Sequence, residues 1–275
     1  MIIIIRPVET IEDCQLIEQL EMTIWGKDSI EISSHLLRVI ALEGGVVLLA
    51  FDGERAIGFS FAFPALTADN HVKLISHQTG VLLPYQSSGL GYQLKLYQRQ
   101  EALARNFDLI TWTFDPLQSR NARLNLGKLG AVCSTYKRHF YGDMTDALNR
   151  GLPSDRFRVD WWIASKHVVR RLAGDAAESV DPTTDCPLLN PGATLQHGFL
   201  VPPATFDLPQ TSLCMLQVPP DLPSLKTHSP ELALHWRLHT RAVFEACFSR
   251  GYTAVNFFRR DDRNYYVLQK DWQPD

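Results

Sequence analysis

Apolar and polar residues are distributed along the chain so as to predict strands and helices in quick succession. Ile2 to Ile5 ahead of Arg6-Pro7 predicts a buried first strand. Thr10-Ile11-Glu12-Asp13 then reads as a cap with acids in the first turn, opening a helix whose stripe of Leu16, Ile17, Leu20 and Trp25 runs to Gly26. A second helix is expected over Ser33 to Leu42. Val46 to Phe51 and Ala56 to Phe61 flank Asp52-Gly53-Glu54, which predicts a hairpin. Val72, Leu74, Ile75, Val81, Leu82 and Leu83 fit a further strand, and Tyr92 to Arg105 lacks glycine and proline and favours a helix. The β-branched and aromatic run Leu109 to Phe114 predicts a buried strand that Asp115-Pro116 ends.

Beyond Lys166 the pattern changes. Gly174 to Pro209 is rich in Pro, Thr, Asp and Gly and reads as a linker or an extended wrap. Ser212 to Val218 predicts a strand, and Ser229-Pro230-Glu231 opens a helix that runs to about Arg250 and closes at Gly251. Two strands, Thr253 to Arg259 and Asn264 to Gln269, follow around Asp261-Asp262-Arg263. The fold class this order predicts is α/β, a mixed sheet with helices on both faces. Two regions are expected, 1–170 and a linker with a smaller strand-helix-hairpin extension over 171–275 that packs on the first or extends its sheet.

The chemistry suggested by the sequence centres on the turn between the fourth strand and its helix, Pro84-Tyr85-Gln86-Ser87-Ser88-Gly89-Leu90-Gly91. A helix start exposes unpaired N–H groups and the positive end of a dipole, so it can hold a phosphate or diphosphate. Glycine removes the Cβ atoms that would block close approach. Leu94 stands where a dinucleotide fingerprint needs its third glycine. Gly127-Lys128 is followed by Leu129, and Ala122 replaces the first glycine of a P-loop. A plain strand-to-helix turn without a ligand is the bland alternative.

Gln86-x-x-Gly89-x-Gly91 after a strand resembles the coenzyme A diphosphate loop of the GNAT N-acyltransferase superfamily, which reads Arg or Gln, two residues, Gly, one residue, Gly or Ala. The following segment resembles it too. Asn121-Ala122-Arg123-Leu124-Asn125-Leu126-Gly127-Lys128-Leu129-Gly130-Ala131 matches an Asn after the strand and a helix ending in Lys-Leu-Gly. The resemblance covers roughly residues 1 to 170. The longer stretches Ser76 to Val81, Trp112 to Ala122, Phe140-Tyr141-Gly142 and Asp155-Arg156-Phe157 are similar to a bacterial GNAT group with a C-terminal extension. Some of its members are associated with N-acylamino acid racemases and implicated in N-succinylation.

The resemblance implies acetyl-CoA or succinyl-CoA as donor and a small amine, such as an amino acid, as acceptor. It implies that the strands on either side of the loop and its helix splay into a wedge for the pantetheine arm. Backbone groups of Thr79, Gly80 and Val81 would pair with pantetheine amides, and Gln86, Ser87, Ser88, Gly89, Leu90 and Gly91 would cradle the diphosphate. Asn121 or Asn125 would touch the coenzyme, and Arg120, Arg123 or Lys128 its terminal phosphates, although basic residues on a helix are commonly just solvated. Many relatives donate a proton to the thiolate from a Tyr whose position here is Leu126; Tyr136 and Tyr141 are nearby substitutes, or packing aromatics. His77 is the candidate base, on the strand before the loop, with a core hydrogen bond as its alternative role. Asp115 at a strand end and the pair Asp155-Arg156 are further candidates, or a turn and a local ion pair. A degenerate, non-catalytic acyl-CoA-binding module is the rival reading.

Composition narrows the partners. With 275 residues and 45% hydrophobic content the chain supports a well-buried core. A net charge of −3 and a pI near 6.3 give no general attraction to nucleic acid or anionic membrane. The five cysteines are widely spaced with no CxxC pair, so reduced thiols in a cytoplasmic setting are expected and a metal site is not. His235 and His239 are spaced i, i+4 but lack a third ligand. The apolar start is too short for a signal sequence, and the oligomeric state is open, a homodimer included.

Overall fold

The computed structural model describes residues 3–26, 32–86, 88–144, 151–174, 186–196, 198–206, 208 and 211–275. The chain divides into two compact units, Met1–Trp112 and Thr113–Asp275.

In the first unit, β1 (Ile3–Pro7), β2 (Val46–Asp52), β3 (Arg55–Leu66) and β4 (Val72–Val81) pair antiparallel in that order. β5 (Leu109–Phe114), which begins in this unit, joins β4 in parallel. The sheet is therefore mixed, as the pattern predicts. Helices α1 (Ile11–Trp25) and α3 (Leu90–Ala104) cover opposite faces, because neighbouring residues on β3 point to opposite sides. Phe59 packs edge-on against Trp25 of α1, while Ser60 bonds to Gln98 of α3. Helix α2 (Ser34–Leu42) packs on β2. The caps fall where the sequence sets them: Thr10 accepts from the Asp13 amide and Ser33 from that of Leu36.

The second unit is a sheet in the order β7 (Arg156–Trp162), β6 (Val132–Lys137), β11 (Tyr252–Arg260), β12 (Arg263–Lys270) and β10 (Leu213–Val218), with antiparallel pairing throughout. The C-terminal hairpin thus continues the sheet of β6 and β7, through Ala254 opposite Cys133. Helix α4 (Ser119–Ala122) runs into a wide π turn, Arg123–Lys128, where a regular helix is expected. Within it the packing is tight enough to require glycine at 127, where a Cβ would lie 2.6 Å from the Phe257 carbonyl oxygen of β11. Between α5 (Lys166–Leu172) and β10, the region expected as linker holds a small hairpin, β8 (Thr194–Gln196) with β9 (Phe199–Val201), and residues 175–185 lie outside the described set. Asn190 clasps Gln217 of β10 through both its amide atoms.

Helices α6 (Leu222–His228) and α7 (Pro230–Phe248) complete the unit, α7 lying on β6 and β11. Its core is aromatic, with Phe157, Phe244 and Tyr266 in mutual edge contacts, and the indoles of Trp161 and Trp236 donate to the Leu129 and Leu200 carbonyls. Among the described residues no helix is long and apolar enough to cross a membrane.

A buried ion pair ties α7 to the sheet. Asp155, fully buried, accepts both Arg241 Nε (2.7 Å) and Nη2 (3.0 Å), the Tyr136 hydroxyl (2.8 Å) and the His139 amide (2.9 Å). Burial pushes its carboxyl pKa up, but the Arg241, His139 and Tyr136 bonds outweigh that and hold it below the ordinary value. A depressed carboxyl pKa stabilises the fold above the unfolded value and loses that contribution as pH falls through the folded one. Asp155→Asn leaves the Arg241 cation unpaired and is expected to cost about 3 kcal/mol in urea unfolding at pH 7. The difference from the parent protein should shrink as the pH is lowered below the carboxylate range, and a constant difference would contradict the ionic account.

Candidate functional site

In the first unit the residues that carry candidate chemistry converge on β4 and the start of α3. β4 pairs with β5 at Leu74 opposite Ile110 and Ile75 opposite Thr111, where the registered pairing ends, and β4 runs on to Val81. Thr79, Gly80 and Val81, beyond that point, take Ser60, Phe59 and Gly58 of β3 as ladder partners. Gly80 is dictated by packing, since a Cβ there would meet the Phe59 ring at 2.5 Å and Ile24 at 2.9 Å. The β3–β4 register shifts between Phe61/Gln78 and Ala62/Ser76, so His77 is the extra residue of a bulge. Its ring is exposed and lies 5.4 Å from that of Phe61 and 6.1 Å from that of Phe63.

After β4 the chain makes a short 3-10 turn at Leu83–Tyr85, pinned by the Leu82 amide on the Ile57 carbonyl and by the Tyr85 hydroxyl on Asp52. The Gln86 side chain turns back to donate to the Val81 carbonyl at 3.1 Å, and the Ser88 hydroxyl donates to the Tyr85 carbonyl at 2.7 Å. Ser87 lies outside the described residues. Gly89 caps α3 with φ +84°, a left-handed conformation that favours glycine, and supplies no side-chain cap. Gly91 has no such excuse. It sits in the first turn with no left-handed φ, and among the described residues a Cβ there would meet no atom within 4 Å outside its chain neighbours and its own helix backbone. The fold therefore does not require glycine at 91, and the missing side chain leaves the helix start open to close approach.

A buried polar network lies on the α3 side of the same strands, and the sequence pattern did not single it out. Lys95, 5% exposed, donates to Ser76 Oγ at 2.6 Å and to Gln98 Oε1 at 3.3 Å, and its Nζ lies 4.1 Å from the centroid of the Trp112 ring. Gln98 Nε2 donates to Ser60 Oγ at 3.0 Å, which lies 2.9 Å from Thr79 Oγ1. Burial pushes the Lys95 pKa down to about 7. The signal was present: Lys95 and Gln98 fall on the stripe of Leu94 and Ala102, where an amphipathic helix places apolar residues.

The second unit holds the remaining candidates. Asp115 is buried, accepting from the Leu117 amide at 2.8 Å and from Nη2 of Arg237. Tyr136 donates to Asp155, and burial pushes its pKa above the ordinary phenol value. Leu126, at the position where the resemblance implies Tyr, is fully buried. Asn121 and Lys128 are exposed and Asn125 is buried. Gly130 faces Arg171, which donates to the Gly127 carbonyl and to Asn256. Both glycines of the second motif thus have packing reasons, unlike Gly91. Among the described residues no group of three or more His, Cys, Asp or Glu is placed to hold a metal.

No protein-family model and no curated protein matches the chain. Solved structures resemble it at low identity. An acetyltransferase of the GNAT family from Streptococcus pneumoniae is 16% identical, with a TM-score of 0.48 over 58% of this chain and 98% of that one. The ribosomal-protein-S18-alanine N-acetyltransferase from Escherichia coli is 18% identical, with a TM-score of 0.46 over 59% and 94%. A chain of the NatC complex bound to Gag peptide and CoA is 16% identical, with a TM-score of 0.47 over 58% and 98%.

The glycines separate ligand demand from packing demand in a stability measurement. Gly91→Ala is expected to leave urea unfolding unchanged or to stabilise by up to about 1 kcal/mol, the helical preference of Ala over Gly. Gly127→Ala should cost about 1–3 kcal/mol by overpacking against the Phe257 carbonyl. Equal losses at both positions would mean that Gly91 is also a packing residue.

Proposed function

We propose that this chain is a GNAT-type acyltransferase that moves an acetyl or succinyl group from coenzyme A to the amine of a small molecule, directly within a complex of both substrates. The observation that carries the reading is Gly91, a glycine that the fold leaves optional, on a helix start without a side-chain cap in the helix that follows β4. The motif order along residues 1–170 supports it, and so does the end of β4–β5 pairing ahead of Thr79–Val81. In this reading the amides at Gly89 to Gly91 hold the diphosphate, and backbone groups of Thr79, Gly80 and Val81, beyond the last registered β4–β5 pair, receive the pantetheine amides, with Gln86 releasing the Val81 carbonyl it now holds. The resemblance implies further coenzyme contacts from Asn121, Asn125 and Lys128.

A thioester is already activated, so the protein's tasks are positioning, removal of one ammonium proton, stabilisation of the developing oxyanion and supply of a proton for the departing thiolate as the C–S bond breaks. His77 is proposed to take the proton, being exposed at the bulge of β4. Asp115 and Tyr136, each engaged by a partner within the second unit, are assigned here to holding that unit together. The acceptor is proposed to be a small amine such as an amino acid, in a cytoplasmic protein. A second reading, a binding module without catalysis, has one observation in its favour: an apolar, buried Leu126 where a proton-donating Tyr is implied.

Free-thiol release from acetyl-CoA and succinyl-CoA against a panel of amino acids and polyamines decides between them. Release dependent on one acceptor class is expected, and His77→Ala should lower kcat about 100-fold while leaving coenzyme binding intact. Gly91→Trp should abolish binding without unfolding. Tight binding with no turnover on any amine would select the non-catalytic module, and unchanged binding by Gly91→Trp would overturn both readings.

A further inference from the structure

Lys95 stands at a particular place in the first unit. The last registered pairs between β4 and β5 are Leu74 with Ile110 and Ile75 with Thr111, so the next residue on each strand is Ser76 and Trp112. The Lys95 amine engages both, donating to Ser76 Oγ at 2.6 Å and resting 4.1 Å from the centre of the Trp112 ring, besides its bond to Gln98 on its own helix. A single side chain from α3 therefore bridges the two strands at the fork where their pairing ends. Filling this spot with an apolar side chain would avoid the cost of burying a cation. The remainder of the network, Gln98, Ser60 and Thr79, carries the tie along β4 toward the loop.

We propose that Lys95 is a positioning residue for the acyl-CoA arm, its amine holding β4 and β5 at the width that the arm needs. The inference rests on the acyl-CoA reading above, which places the arm beyond this fork. The ammonium form is the better tie, because it combines a charge-assisted bond to Ser76 with attraction to the indole face, and the neutral amine loses the second. The groups facing it are uncharged: Ser76 from β4, Trp112 from β5, and Gln98 on its own helix with Ser60 of β3 behind. Lys73 and His77 lie on the other face of β4 by alternation, and Asp52 of β2 is engaged by Tyr85. Arg99 follows one turn along α3, and burial alone sets the Lys95 shift. Its proton is held below about pH 7 and lost above it. The wedge is thus best preformed on the acid side of neutrality, and a preformed site binds more tightly.

The test is the dissociation constant of coenzyme A, measured by calorimetry from pH 6 to 8.5 on the full chain and on Lys95→Met, which keeps the volume but not the amine. Both proteins share the titration of the ligand's own phosphates, so the quantity read is the ratio of their constants. The ratio is expected to favour the parent protein at pH 6 by about fivefold or more and to decline toward unity with a midpoint near 7. Ser76→Ala, which keeps the lysine and removes its acceptor, should weaken binding at pH 6 and leave a smaller pH effect; it decides the matter if thermal melting shows Lys95→Met to be unfolded. Parallel curves for parent and variants overturn the positioning role while leaving the acyl-CoA reading in place. A parent protein that binds no coenzyme A overturns both.

Discussion

The passage of the chain from β4 into α3 depends on one backbone conformation, the left-handed turn at Gly89 with φ +84°. Without it the helix would need a different entry. With it, α3 starts from a residue that brings no side chain of its own, so the first amides are not capped from within. The same entry sets the position of α3 over β2, β3 and β4, which buries Leu94, Lys95, Gln98 and Ala102 against the sheet. The uncapped helix start and the buried network are two consequences of one helix placement.

The two units use buried polarity differently. In the second, charge is neutralised by charge: Asp155 with Arg241 and Asp115 with Arg237 hold α7 on the strands, and each carboxylate also accepts backbone amides. Such pairs contribute little net stability but make the loss of either partner costly. In the first, Lys95 is buried with hydroxyl, amide and indole groups for company and, among the described residues, no carboxylate bonded to it. That arrangement leaves its proton labile near neutrality, which a structural cation such as Arg241 is not.

What the sequence made legible was whatever is determined locally. Helix caps at Thr10 and Ser229, the helix after Ser33, the hairpin around Gly53, and the strand Leu109–Phe114 appear where their residues predict them. Less was visible where distant residues decide. The π turn at Arg123–Lys128 packs its Gly127 against the Phe257 carbonyl, a partner far along the chain. The bulge at His77 belongs to the pairing with β3 and leaves no mark in composition. β7 was readable in principle, since Phe157, Val159 and Trp161 alternate and are all fully buried, but the charged residues between them obscured the strand. Of the candidate site, the loop and strand positions fall together in one unit, whereas Lys95 was hidden by the habit of reading lysine as a surface residue.

The central claim is that the amides opening α3 bind the coenzyme. Backbone amide shifts of the isotopically labelled chain, followed while coenzyme A is added, test it most directly. The account predicts the largest changes at Gly89, Leu90 and Gly91, with a second set along Thr79 to Val81. Saturable binding that moves other amides and leaves these in place would contradict it.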